Sequence, residues 1–165
     1  MARMNIIQAV NSAMHTMFER DETVVSFGED AGFYGGVFRC TSGLQEKFGK
    51  QRVFDTPTSE NAMTGVGIGA ALNGIRPVMT HQRMDFFLLA MDQLVNNAAK
   101  WHYMFGGAVS VPITIRLILG RGWGQGPTHA QNLQSWLAHV PGLKVAMPAT
   151  TADAYTLLRE AIDDP

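Results

Sequence analysis

A single cysteine, Cys40, stands among the 165 residues. A disulfide within the chain needs two cysteines and a thiolate metal cluster needs more, so neither can organise this protein. Charge is scarce as well. Asp, Glu, Lys and Arg make up 16% of the sequence, against about 25% in an ordinary globular chain. The formal net charge is −1 and no basic tract occurs, so nothing attracts a nucleic-acid backbone or an anionic bilayer. No apolar run approaches the ~20 residues of a membrane helix. The opening MARMNIIQAV has neither the apolar core nor the small-residue cleavage site of a signal peptide. These absences lead to an expectation of a soluble intracellular chain with no nucleic-acid or membrane partner. It would be cytoplasmic, or in an organelle matrix if a transit peptide has been removed.

What is present is apolar. Hydrophobic residues reach 46%, and with so little charge some of that surface is expected to meet another protein. The length fits one domain with its own core. The closing LLREAIDDP reads as a helix followed by residues that introduce a strand, so the expectation is a piece of a longer chain.

Ile6, Ala9, Val10, Ala13, Met14, Met17 and Phe18 recur at helical spacing and predict an amphipathic first helix. TVVSFG, RVFDT, RPVMT, PITIRLIL and LKVAMP read as strands. Helices are predicted near TSGLQEKFG, from Glu60 to Asn73, from Phe86 to about Tyr103, near NLQSWLAHV and from Ala152 onward. Apolar strands alternating with helices imply an α/β fold, a parallel sheet with helices on both faces.

Glu60 poses the sharpest question, because it heads a segment, NAMTGVGIGA, whose residues ask for burial. A surface helix start would explain it, since a carboxylate favours the positive end of a helix. The glycines of TGVGIGAALNG do not form a dinucleotide fingerprint: the G-x-G-x-x-G spacing is missing, and so is the strand-to-glycine turn. Gly65 and Gly69, with Ala62, instead predict a helix face of minimal side chains that packs closely on another helix. GRGWGQGPTHAQ follows the strongest strand and is either a flexible connector or a ligand loop presenting His129. His81, Arg83 and Asp85 in THQRMDFF read as a solvated turn, or as substrate-selecting residues at the carboxyl end of a strand. G-x-S-x-G is absent, and no histidine spacing makes a metal site.

GEDAGFYGGVF, DTPTSE, GVGIGAALNGIRPV, AMDQLVNNAAK, VPITIR, GPTHAQ and PGLKVAMPAT, in this order, resemble the beta subunit of the thiamine diphosphate-dependent decarboxylating component of 2-oxo acid dehydrogenase complexes. Pyruvate, branched-chain 2-oxo acid and acetoin dehydrogenases belong to that family. The resemblance covers residues 1–165 and implies a transketolase-like pyrimidine-binding domain. It also implies oxidative decarboxylation of a 2-oxo acid with transfer of the acyl group to a lipoyl carrier.

By the same resemblance, Glu60 would hydrogen-bond the aminopyrimidine and favour the imino tautomer that takes the thiazolium proton. Burial suits a carboxyl group to such proton sharing. Glu29 and Phe86 would line the cofactor, with Phe86 against the pyrimidine and Thr58 and Gln82 beside them. His129 would act on the substrate or on the arriving lipoyl group. Ile113, Ala161, Ile162 and Asp164 match positions that hold a potassium ion in some relatives.

The family's G-D-G…N motif for magnesium and the diphosphate occurs nowhere here, which implies an alpha subunit carrying that site. A second beta subunit and a lipoyl acyltransferase are the other implied partners. The family's second beta-chain domain is expected to lie outside this stretch of sequence. Gln82 and Met84 stand where the family often has apolar residues, and His81-Gln82-Arg83 is an unusual run. A transketolase or 1-deoxyxylulose-5-phosphate synthase type of enzyme, or a scaffold domain without catalysis, are the alternative readings. The glycine loop from Arg121 to Gln125 is expected to be mobile without cofactor and partner, with Trp123 folding over the site when the cofactor arrives.

Overall fold

The computed structural model describes residues 4–120 and 124–165. It opens with α1 (Ile6–Arg20), started by a capping box in which Asn5 and Gln8 satisfy each other's backbone N–H groups. Then come β1 (Val24–Gly28), α2 (Leu44–Phe48), β2 (Val53–Asp55), α3 (Glu60–Leu72) and β3 (Arg76–His81). The four-stranded sheet is completed by β4 (Thr114–Leu117), with strand order β2-β1-β3-β4. All three pairings are parallel: Ser26 lies opposite Val53 and Val78, and His81 opposite Leu117.

The period of two along the strands sorts the side chains into two cores. Val24 and Val78 face α1, α2 and the last helix, α7 (Thr151–Asp163), in a cluster with Met14, Met17, Phe18, Leu44, Val53 and Ile162. Phe27 and Met79 point the other way and pack on Met63 of α3. The sheet is therefore covered on both faces, as its apolar strands require.

Four sequence expectations are corrected. First, the predicted helix from Phe86 to Tyr103 is wound in pieces. These are α4 (Met84–Phe87), a 3₁₀ turn at Leu88–Ala90, a π turn at Gln93–Ala98 and α5 (Ala99–Met104), whereas NLQSWLAHV forms the short α6 (Gln134–Ala138). The buried residues Met84, Phe87 and Ala90 recur every three positions, a spacing that 3₁₀ winding lines up on one face and regular α winding does not.

Second, LKVAMP forms no strand. It carries no ladder bonds, and Val145 and Met147 are exposed, so its apolar residues have no face to bury. Third, Gly65 and Gly69 do not mark a tight contact between helices. A Cβ on Gly65 would meet Gln93 at an ordinary 3.5 Å, and one on Gly69 would meet nothing within 4 Å. The crowded glycine is Gly67, where a Cβ would lie 2.6 Å from Met79 Sδ and 3.0 Å from Ile113 Cδ1. Fourth, Ile6 is exposed, and the stripe of α1 that packs inward is Ala9, Ala13, Met14, Met17 and Phe18.

Candidate functional site

In an open parallel sheet the strands end at one edge, and each end aims its following loop into a common crevice. Here β1 ends into Glu29, the turn after β2 leads to Glu60 at the first position of α3, and β3 ends into His81 and the turn before α4. β4 ends into the segment that reaches Gly120.

Glu60 is only 7% exposed. The bland reading, a carboxylate on a surface helix start, therefore fails. Thr58 and Ser59 before it are exposed, and Ser59 makes no side-chain cap, so the chain enters the helix at the surface and turns Glu60 inward. Thr64 then donates its hydroxyl to the Glu60 carbonyl at 2.7 Å, which fixes the first turn of α3.

Glu29 is buried to the same extent, and its Oε1 has no hydrogen-bond partner. Burial holds its carboxyl above the usual range. The nearby Glu60 carboxyl pushes in the same direction, and the Gln82 backbone N–H partly offsets both. A second carboxyl this close adds to the cost of ionising Glu29. Gln82 also donates Nε2 to Asp30 at 2.7 Å, tying the end of β3 to the end of β1.

The reading of His81, Arg83 and Asp85 as a solvated turn is overturned: they are 0%, 6% and 8% exposed. His81 lies edge-on to Phe87 at 4.8 Å, with neither ring nitrogen hydrogen-bonded. Burial alone lowers its pKa to about 4, so the ring is neutral. His81 shares the parity of Pro77 and Met79, and because helices cover both faces of the sheet, β3 is buried on either parity from Pro77 to His81.

Phe86 is half-buried, and the ring of His129 stands edge-on to it at 5.2 Å. His129 is therefore neither a free surface residue nor a packed core one. Its Nδ1 lies 3.1 Å from the Thr128 hydroxyl. Gly120 permits this approach, because a Cβ there would overlap the His129 carbonyl and stand 3.4 Å from Arg83 Nη1. Arg83 donates Nη2 to Gln125 Oε1 at 2.6 Å, and Asp85 Oδ1 accepts from Gln131 Nε2 at 2.8 Å. Sequence reasoning did not single out Gln125 or Gln131. Their partners lie some 40 positions away, and no local pattern marks them. Arg121, Gly122 and Trp123, on which the expected mobility and the folding-over of Trp123 depend, lie outside the described residues.

Residues 2–165 match the family model described as the transketolase pyrimidine-binding domain. The chain belongs to that family.

This pyrimidine-binding domain is similar to 2-oxoisovalerate dehydrogenase subunit beta of Pseudomonas aeruginosa, at 46% identity over 98% of this chain and 47% of that protein. It is 45% identical to the pyruvate dehydrogenase E1 component subunit beta of Bacillus subtilis, over 99% of this chain and 50% of that one. A mitochondrial pyruvate dehydrogenase E1 component subunit beta-2 from Oryza sativa subsp. japonica is 43% identical, over 98% and 43%. The chain spans about half the length of these relatives. The parallel sheet with helices on both faces is the α/β fold that the sequence implies. Among the described residues, no helix is long and apolar enough to cross a membrane.

The remaining candidates lie away from this cluster. Ala161 and Ile162 fall in the last turn of α7 and Asp164 just beyond it, while Ile113 immediately precedes β4. Thr114 donates its hydroxyl to the Ala161 carbonyl at 3.0 Å, and Arg76 Nη1 donates to the carbonyls of Ile162 and Asp164 at 2.7 and 3.0 Å. The structure thus gathers these carbonyls at the amino ends of β3 and β4, on the opposite side of the sheet edge from Glu29 and Glu60.

Proposed function

We propose that this domain belongs to the beta subunit of a thiamine diphosphate-dependent 2-oxo acid dehydrogenase. That enzyme would decarboxylate a pyruvate-like or branched-chain 2-oxo acid and pass the acyl group to a lipoyl carrier. The observation that carries the reading is the pair of buried carboxyls, Glu60 and Glu29, at the carboxyl ends of the strands.

The residues fit the pyrimidine half of the cofactor. Glu29 Oε1 is buried and still open to a donor, and the Phe86 ring is only half covered. Glu60 and Glu29 would meet the polar edge of the ring, Phe86 its face, and Thr58 and Gln82 the rim. Bound thiamine diphosphate supplies the nucleophilic carbon that adds to the 2-oxo group. Glu60 would hydrogen-bond the ring nitrogen through its carboxyl and hold the shared proton there. Glu29, its acidity weakened by burial, would sit beside it as a neighbour that resists ionisation. Phe86 orients the ring and, with the apolar ends of the strands, excludes water. His129, carried against Phe86, would serve the later step with substrate or lipoyl group.

Among the described residues, no group of three or more His, Cys, Asp and Glu could hold a metal ion. As the relatives' subunit names support, an alpha subunit would hold the diphosphate and its magnesium. A second beta subunit and the lipoyl acyltransferase complete the assembly. Val66, Leu89, Tyr103 and Met104, all well exposed, supply apolar surface for such partners. A potassium ion at Ile113, Ala161, Ile162 and Asp164 would meet the negative end of α7, but it would have to share carbonyls that already accept from Thr114 and from the Arg76 guanidinium. The assembly would work in the cytoplasm or in an organelle matrix, the latter reading being supported by the plant relative named mitochondrial.

Glu60→Gln tests the proposal in the full-length protein assembled with its alpha-type partner. The amide keeps the shape of the side chain and cannot cycle a proton. Turnover is expected to fall on the order of 10²–10⁴-fold with the circular dichroism spectrum unchanged. Turnover within a few-fold of wild type would sink the assignment.

A further inference from the structure

The segment that carries His129 is held at both of its ends by one short turn. On the amino side, Gln125 Oε1 accepts from Arg83 Nη2 at 2.6 Å. On the carboxyl side, Gln131 donates both its side-chain amide and its backbone N–H to Asp85 Oδ1, at 2.8 and 3.3 Å. Between Arg83 and Asp85 the backbone is anchored in turn, since Met84 N–H donates to the Ile118 carbonyl at 3.0 Å. The next residue, Phe86, is the ring against which His129 stands.

Four contacts from positions 83–86 thus reach a loop some 40 residues later in the chain. Gln125 itself is exposed, whereas Arg83 and Asp85 are buried. A buried guanidinium and a buried carboxylate carry a desolvation cost that hydrogen bonds of good geometry must offset. A solvated turn would have avoided that cost altogether. Their burial is accounted for if their task is to fix what lies above them.

We propose that Arg83 and Asp85 are positioning residues that latch the His129 segment onto the Phe86 end of the site, Arg83 through Gln125 and Asp85 through Gln131. This rests on the reading of His129 given above. The latch acts on the step served by His129 and leaves cofactor binding alone, because Glu29 and Glu60 sit on β1 and α3 and make no contact with Gln125 or Gln131 among the described hydrogen bonds. Arg83 offers two fork-like donors where lysine would offer a point charge, so Arg83→Lys is the graded variant. Gln125→Met is the variant least able to disturb the fold, because the side chain it replaces is exposed.

The test uses the full-length protein with its alpha-type partner and a free lipoyl domain as acceptor. Gln125→Met, Arg83→Met and Asp85→Leu should each lower kcat for lipoyl acylation on the order of 10–10²-fold, the size of effect a displacement of about 1 Å produces. For Gln125→Met the calorimetric affinity for thiamine diphosphate should stay at the wild-type value, and in all three variants backbone hydrogen exchange over residues 124–131 should speed up. The Arg83→Met/Gln125→Met double variant should be no worse than Arg83→Met alone, since both remove one bond. Arg83→Lys and Asp85→Asn, which keep a donor and an acceptor, should recover part of the rate.

Wild-type acylation by Gln125→Met, additive losses in the double variant, or a parallel loss of cofactor affinity in Gln125→Met would each overturn the latch. Glu60→Gln measured alongside separates the two readings. If it abolishes turnover while Gln125→Met does nothing, the latch alone has failed. If Glu60→Gln is also active, the functional assignment has failed with it.

Discussion

Phe18 and Arg83 are buried to nearly the same degree, 1% and 6%, yet they stand in regions built on different physical terms. Around Phe18 the interior is made of methionine, leucine, valine and isoleucine side chains between α1, α2, α7 and one face of the sheet. Burial there is its own reward: removing apolar surface from water stabilises by roughly 25 cal/mol per Å². At the carboxyl ends of the strands, where Arg83 lies, the buried residues include Glu29, Glu60, His81 and Asp85. Each of those groups loses hydration on folding and regains only part of it from neighbours. Glu29 keeps an unmatched oxygen and His81 two unmatched nitrogens. One region drives folding, and the other is carried by it. Strain and unmatched polarity of this kind collect at functional sites.

That contrast can be broken or sharpened by substitution. The largest effect is expected in the apolar region. Phe18→Ala should destabilise the protein by about 3–5 kcal/mol, read as a shift in the urea midpoint, and should leave the acylation rate per folded molecule unchanged. A loss of rate without a loss of stability would mean that the two regions are coupled more closely than their contacts show.

A smaller and pH-dependent effect belongs to His81. Its folded pKa of about 4 lies below the ordinary value of 6.5, so the unfolded chain binds more protons between those limits. Stability therefore rises with pH across that window. It is fully present above the ordinary histidine value and lost as pH falls towards 4, by about 3 kcal/mol in total. Glu29, with its carboxyl held above the usual range, acts in the opposite sense, lending stability at low pH that is lost as pH rises through its folded value. His81→Phe isolates the histidine contribution. Its stability minus that of the wild type should grow as pH drops from 6.5 to 4, measured by urea unfolding at several pH values. A difference independent of pH would remove His81 from the account.

The smallest effect compares two glycines of α3. Gly67→Ala forces a methyl group against Met79 and Ile113 and should cost about 1–3 kcal/mol. Gly69→Ala meets open space and should stabilise by up to about 1 kcal/mol through helix propensity. Thermal unfolding of both variants decides it, and equal shifts would contradict the packing described for α3.

How much of this was legible beforehand varied with the range of the interaction. The strand order could not be read, but the helices α1, α3 and α7 and the four strands of the sheet were readable, because each depends on local periodicity. Glu60 drew attention because a charged residue opening an apolar helix is a local inconsistency. The pairing of Glu29 with Glu60 could be expected only from a family resemblance, since the two lie on different elements. The turn at His81–Asp85 was misread because a run of polar residues after a strand usually meets water. Gln125 and Gln131 gave no sign at all.

The sequence by itself determined an α/β chain of alternating apolar strands and amphipathic helices, low in charge and headed into α3 by a glutamate. Those features follow from hydrophobic period and backbone propensity, which act over a few residues. Only the tertiary structure decided that Glu60 turns inward toward Glu29, that His81, Arg83 and Asp85 are buried, and that the last two reach Gln125 and Gln131 beside His129. The reason is that burial and hydrogen bonding of polar groups depend on which strand ends meet in space. In a parallel sheet that is fixed by crossovers joining residues dozens of positions apart.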